Sequence, residues 1–179
     1  KDRLYCDSKQ SEERVAYRQV LDILFERLVR YIAPVLVFTA EEIWTARYPG
    51  RESIHLESVE EAPPEWLCVE IADKMQPMLA ARADILEAIE PLRREKIIGS
   101  GLEAAVTYPL TARANELNLQ LAMDAVDLAE FAIVASVVEG PELIIQRTTH
   151  HKCGRCWRHL PEVTEDGTLC ARCDEVVNG

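Results

Sequence analysis

Four of the six cysteines form two Cys-x-x-Cys pairs near the end of the chain, Cys153/Cys156 and Cys170/Cys173, with thirteen residues between the pairs. A thiolate is a soft ligand, and a short turn that presents two of them can hold one edge of a coordination tetrahedron. Two such turns complete a four-sulfur site around one zinc ion, at about 2.3 Å from each sulfur. With sulfur in every position no place is left for water, so the metal is expected to be structural rather than catalytic. No secretory pattern accompanies these cysteines, and a disulfide framework is the weaker reading. His150, His151 and His159 are spare donors that four cysteines make unnecessary. Gly154 is expected to free the first turn, and Asp166-Gly167 to form a turn between two short strands. Four thiolates and one zinc leave a charge of about −2, which Lys152, Arg155, Arg158 and Arg172, all beside the ligands, can offset. The isolated Cys6 and Cys68 read as half-buried thiols.

Those cations stand out because the chain as a whole is acidic. Its 179 residues hold 31 Asp plus Glu against 20 Lys plus Arg, for a net charge of −11. Such a charge repels a polyanion at long range and argues against a general electrostatic nucleic-acid binder. Any contact with nucleic acid must be local, and one interval qualifies. No acidic residue falls between Glu142 and Glu162, whereas Arg147, Lys152, Arg155 and Arg158 do. Charge alone leaves two readings of this interval, a solvated cluster and a binding patch. Hydrophobic residues at 48% and charged residues at 28% exclude wholesale disorder. The apolar stretches Ile32–Ala40 and Phe131–Val138 fall far short of the ~20 residues of a membrane span. The chain opens on Lys1 with no secretory signal, and is expected to be part of a longer protein. There is no Walker-type phosphate loop, no serine nucleophile elbow and no His-Glu-x-x-His, so no catalysis is expected from this chain alone.

The elements that must position the cysteines follow from periodicity. Residues 11–31 predict an amphipathic helix, capped by Ser11, with Val15, Val20, Leu21, Ile23, Leu24 and Leu28 on its apolar face. Pro34 interrupts it, and Thr39-Ala40-Glu41-Glu42 reads as a capping box that opens a short helix through Trp44 to Tyr48. Ser53–Leu56 is expected to be extended. A long helix is predicted from Glu65 to about Arg94, with Ile71, Met75, Met78, Leu79, Ile85, Leu86 and Ile89 as its core face and Gly99-Ser100-Gly101 as its stop. Beyond it, Ala104–Tyr108 predicts a strand and Asn115–Leu128 a helix, with Leu117, Leu121 and Val126 inward. Phe131–Val138 and Leu143–Thr148 predict two strands of a hairpin turned at Glu139-Gly140-Pro141-Glu142. The sum is a mainly α chain with a small α+β unit ahead of the cysteine knuckles.

Several segments, taken in order, carry a resemblance. They are Lys1–Asp7, Leu28–Pro34, Phe38–Trp44 (Phe-Thr-Ala-Glu-Glu-Ile-Trp), Ser53–Leu56, Lys96–Ala104 (Lys-Ile-Ile-Gly-Ser-Gly-Leu-Glu-Ala) and Lys152–Trp157. Together they make the chain similar to the C-terminal region of bacterial isoleucyl-tRNA synthetases, over nearly its whole length. The resemblance implies that residues 1–62 are the later part of an anticodon-binding helical bundle. Residues 63–148 would be a long helix plus a small α+β junction unit, and 149–179 a Cys₄ zinc element. It implies a cytoplasmic, monomeric ligase that spends ATP to attach isoleucine to its tRNA, with no membrane partner. ATP would be used by the whole enzyme and not by this fragment, since the signatures His-Ile-Gly-His and Lys-Met-Ser-Lys-Ser are missing and Lys74-Met75-Gln76 is no match. Gly101 stands where the family often has a second serine. Isoleucine tRNA would then meet Lys152, Arg155, Trp157 and Arg158. Trp157 is the stacking candidate for an unpaired base, or a wedge against the knuckle. Arg155 and Arg158 are phosphate or base partners, or counter-charges for the thiolates. Two other readings remain open at this point: the zinc-finger terminus of a DNA-repair glycosylase, and a non-catalytic, zinc-stabilised interaction module.

Overall fold

The computed structural model describes residues 2–112 and 125–179. The chain is mainly helical and divides into two compact units, Lys1–Trp66 and Leu67–Gly179.

The first unit contains α1 (Asp2–Cys6), α2 (Glu12–Ile32) and α3 (Val37–Arg47), followed by 3₁₀ turns at Ile54–Leu56 and Pro64–Trp66. Ser11 caps α2 as predicted, its side chain accepting the Arg14 N–H at 3.3 Å. The buried stripe is not the predicted one. Val29 and Ala33 pack with Ala40, Trp44 and Ile54, flanked by Phe25, Ile32 and Tyr48, while Val15, Val20, Leu21, Ile23, Leu24 and Leu28 are exposed. Apolar residues cover more than one face of α2, and periodicity cannot say which face meets α3.

Three local features also differ from expectation. α3 starts at Val37 with no side-chain cap, so Thr39 lies inside the helix rather than in front of it. Glu41 serves another turn instead: its Oε2 accepts from Ser53 Oγ at 2.7 Å and from the Ile54 N–H at 3.1 Å. With Ser53 as its cap, the Ile54–Leu56 segment winds into a 3₁₀ turn instead of extending. Trp44 is fully buried and donates from Nε1 to the Glu52 carbonyl at 2.9 Å. The guanidinium carbons of Arg30 and Arg51 lie 5.2 and 4.6 Å from the centroid of its ring. Arg30 in turn pairs with Glu26 and, at 2.9 Å, with Glu57. Cys6 is buried and Cys68 exposed, so neither is half-buried.

The second unit opens with α4 (Val69–Arg94). Ala81, Ile85 and Ile89 recur every fourth residue and form its buried stripe, with Met78 and Leu92 partly buried beside them. Ile71 and Leu79 are exposed, against expectation. The helix ends five residues before Gly99, at a Schellman turn. Lys96 N–H donates to Arg93 O at 3.1 Å and Ile97 N–H to Leu92 O at 2.9 Å, with Lys96 itself left-handed at φ 61°. An L-residue other than glycine pays roughly 1–2 kcal/mol for that conformation.

Past a 3₁₀ turn at Gly101–Glu103 come β1 (Ala104–Tyr108), α5 (Ala125–Ala132), β2 (Ser136–Glu139) and β3 (Ile144–Arg147). Residues 115–124 of the predicted helix, with Leu117 and Leu121, and the Val126 side chain lie outside the described residues. β1 is central. It pairs in parallel with β2 (Ala105 opposite Ser136) and antiparallel with β3 (Ala104 opposite Arg147). The predicted hairpin is therefore wrong: β2 and β3 lie on opposite sides of β1. Their connection passes the end of β1, where Gly140 N–H donates to Tyr108 O at 3.2 Å. The predicted strand at Phe131 is helix as far as Ala132, because a short apolar run suits a buried helix as well as a strand. The alternating Ala104, Val106 and Tyr108 of β1 face inward onto Ile85, Ile89, Leu128, Ala129 and Val137. This core holds the end of β3 from which the cysteine-bearing segment runs on.

Candidate metal centre

The first knuckle is framed by a two-stranded ladder, β4 (His151–Lys152) and β5 (His159–Leu160), with His151 opposite Leu160. The strands thus flank Cys153–Arg158 and not the Asp166-Gly167 turn, which corrects that expectation. The second knuckle opens α6 (Ala171–Asn178), with Cys170 at its N-cap and Cys173 in its first turn. Glu162 Oε1 accepts the Ala171 N–H at 3.2 Å and so secures the start of that helix.

The two knuckles are stitched together by backbone. Cys153 N–H donates to Arg158 O at 2.9 Å, Gly154 N–H to Thr168 O at 3.0 Å and Gly167 N–H to Lys152 O at 2.9 Å. Asp166 Oδ1 accepts the Lys152 N–H at 2.7 Å. Gly154 is required by close approach: a Cβ there would lie 2.3 Å from the Gly167 carbonyl oxygen. Gly167 itself sits at φ 98°, where glycine alone is unstrained.

This framework gathers the four sulfurs of Cys153, Cys156, Cys170 and Cys173 within 4.8 Å of one another. Cys156 Sγ and Cys170 Sγ are 3.9 Å apart. A regular ZnS₄ tetrahedron with ~2.3 Å bonds has edges of about 3.8 Å, so the donor set fits the ion. Cys153, Cys170 and Cys173 are buried and Cys156 is partly so, which closes the site to solvent. Burial pushes the Cys156, Cys170 and Cys173 thiols up. Burial acts on Cys153 in the same sense, but the amides of Cys156, Arg155 and Cys170 outweigh it and bring that thiol down to about 6. One of these contacts is the Cys170 N–H, 3.3 Å from Cys153 Sγ. Oriented amides of this kind are how a protein prepares thiolates for a cation.

The histidines stay out of the cluster. His159 Nδ1 lies 2.7 Å from the His150 carbonyl, to which it donates, and His151 Nδ1 lies 3.5 Å from Asp166 Oδ1. The cations predicted beside the ligands divide by role. Arg155 hydrogen-bonds the Cys173 sulfur and helps to lower that thiol against its burial. Arg158 is half-buried. Lys152 is exposed, with its ammonium 5.3 Å from the centroid of the Trp157 ring. Trp157 is 56% exposed and left-handed at φ 67°. A residue packed into the knuckle as a wedge would be far less accessible. Sequence reasoning missed Glu162 and the carboxylate role of Asp166. Only the Asp-Gly pair, a known turn former, offered a signal.

Residues 1–108 match the family described as the anticodon-binding domain of tRNA ligase. Residues 151–176 match the zinc finger found in FPG and IleRS. The isoleucine–tRNA ligase of Zymomonas mobilis is 47% identical over 186 residues, covering 99% of this chain and 19% of that protein. Those of Gluconobacter oxydans and Ruegeria pomeroyi are 39% and 36% identical, covering 99% and 97% of this chain and 19% of each relative. The chain thus spans about a fifth of the length of the curated relatives it matches. The finger type and the four-sulfur cluster together support one structural zinc. By the match over more than half its length, the chain belongs to the anticodon-binding domain family of tRNA ligases, and it ends in a zinc finger of the kind found in FPG and IleRS.

Proposed function

We propose that this chain is the tRNA-gripping end of an isoleucine–tRNA ligase, holding isoleucine tRNA by its anticodon end while other domains use ATP to attach the amino acid. On this reading residues 1–62 belong to the anticodon-binding bundle, 63–148 form the junction and 149–179 the zinc element. The whole enzyme is cytoplasmic and monomeric. Binding energy realised far from the chemistry orients the acceptor end and supplies selectivity.

The observation that supports it best is the outer face of the finger. An exposed Trp157 stands on a metal-stiffened knuckle under the Lys152 ammonium, with the half-buried Arg158 next to it in sequence. An aromatic face flanked by cations is the combination that reads unpaired RNA bases. Cys153, Cys156, Cys170 and Cys173 hold the zinc that fixes this surface, and no step of the chemistry passes through it. Arg155 acts in both directions: a guanidinium has five donors, and one bond to the Cys173 sulfur leaves others for a phosphate.

The finger type is shared with FPG, which keeps a duplex-DNA reading in play. The helical anticodon-binding match over residues 1–108 speaks against it. Filter binding of isoleucine tRNA against duplex DNA separates them. Preference for the tRNA is expected, and the pair Arg155→Gln with Arg158→Gln should lower the salt slope by about two, one for each phosphate contact. Preference for duplex DNA, or no binding to either, refutes the proposal.

A further inference from the structure

Away from the finger, the second unit carries another group of cations in a concave place. A shallow, wide-open depression of about 340 Å³ lies at the C-terminal end of α4, lined by Glu90, Arg93, Arg94, Lys96, Ile98 and Gly99. Arg93 is paired with Glu90 at 2.9 Å. Arg94 and Lys96 are exposed, and neither has a carboxylate within ion-pair distance among the described residues. Ile98, which is buried, gives the cleft a fixed wall.

Cations at the end of a helix have an ordinary account, since they complement its dipole. Arg93 and Arg94, in the last turn, meet that need. Lys96, just beyond the last carbonyls, can serve the same end of the dipole, so its backbone and not its charge sets it apart. It stands past the last turn, in the left-handed position of the Schellman motif that glycine would fill without strain. A strained backbone that holds a long cation over a cleft points to a ligand rather than to stability.

The cleft is tied to the finger through Glu103. Gly99 N–H donates to Glu103 Oε2 at 3.3 Å, and Arg147 Nη2 lies 3.5 Å from the same oxygen. Thr148 N–H donates to the Glu103 carbonyl at 2.7 Å, and His150 N–H to Thr148 Oγ1 at 3.2 Å. β4 of the finger starts at the next residue. One hydrogen-bonded stretch of chain therefore carries both cationic places, within a chain whose net charge is −11.

We propose that this cleft is a second phosphate-binding point for the RNA held by the finger, with Arg94 and Lys96 taking a backbone phosphodiester of the same tRNA. Arg94 offers a planar fork that matches two phosphate oxygens, and Lys96 a point charge. In an acidic protein, two local contacts on one unit fix the direction of the RNA where one would only tether it. The inference rests on the tRNA reading above.

The test uses the full chain and an isoleucine tRNA transcript, with affinity measured from 50 to 200 mM salt. The variants are Lys96→Gly, Arg94→Gln and the paired Arg155→Gln, Arg158→Gln. Each cleft variant is expected to weaken binding and to lower the salt slope by about one. Lys96→Gly should do so while melting at the same or a higher temperature, because it relieves the strain. Unchanged affinity and slope in both cleft variants, with loss in the finger variant, overturns the cleft and leaves the tRNA reading standing. A native chain that does not bind the tRNA overturns both. Weaker binding that only follows a lower melting temperature marks the cleft as structural and overturns the proposal too.

Discussion

Replacing Trp157 by glycine separates the two roles open to this residue, because the structure assigns them opposite costs. Trp157 holds φ 67°, a conformation that costs an L-residue roughly 1–2 kcal/mol and glycine nothing. Against that relief stand the lost contact with the Lys152 ammonium, about 0.5–1 kcal/mol at an exposed site, and the greater freedom of glycine in the unfolded chain, about 0.4–1 kcal/mol. These terms nearly cancel. The ring is also too exposed for its removal to open a cavity. The variant should therefore keep its zinc and melt within about 4 °C of the native chain, which corresponds to a change below ~1 kcal/mol for a chain of this size. A base stacked on the ring is worth about 1–3 kcal/mol, so tRNA affinity should fall by about fivefold to 150-fold. Fluorescence anisotropy with labelled isoleucine tRNA reads the affinity, and elemental analysis reads the zinc. Unchanged affinity with zinc retained would show that no base stacks there. Zinc loss or a collapsed finger would show that the indole is a wedge after all.

Replacing Cys170 by serine should release the metal and unfold the chain after about residue 149 while leaving the helices of Lys1–Trp66 folded, since metal binding is coupled to local folding. Elemental analysis with circular dichroism checks this, and zinc should also be lost as pH falls and protons compete for the sulfurs. Gly154→Ala drives a methyl group to 2.3 Å from the Gly167 carbonyl, so the knuckles must part. About 1–3 kcal/mol should be lost from the finger, seen as faster zinc release to a chelator. In the first unit, burial raises the Glu26 carboxyl, but hydrogen bonds from Tyr48 and Arg30 and the charges of Arg30 and Arg51 hold it below its ordinary 4.5. A depressed carboxyl contributes stability that is present above pH ~4.5 and is lost as pH falls through the lower folded value. Acid unfolding of this unit should therefore begin below that point, and Glu26→Gln should flatten the acid limb of a melting-temperature profile.

Much of the candidate site was legible in the residues themselves. Ligand type and spacing name the metal chemistry without any fold, because two short turns of sulfur satisfy zinc through local geometry. The same holds for Ser11, whose cap depends only on its neighbours, and for the strand at Ala104–Tyr108. The long helix after Pro64 was visible from its period, although its first turns proved exposed. What the sequence could not yield depended on partners distant along the chain. Which face of α2 is buried is decided by α3 and Ile54, and Glu41 was claimed by Ser53 and Ile54 rather than by its own helix. Strand order was hidden as well, since β2 and β3 are neighbours in sequence but β1 enters between them. The closeness of Gly154 to Gly167, the exposure of Trp157 and the cleft beside Lys96 are likewise matters of separate segments meeting. Short-range patterns constrain only short-range geometry. Which surfaces face water and which face each other is settled by the packing of the whole unit.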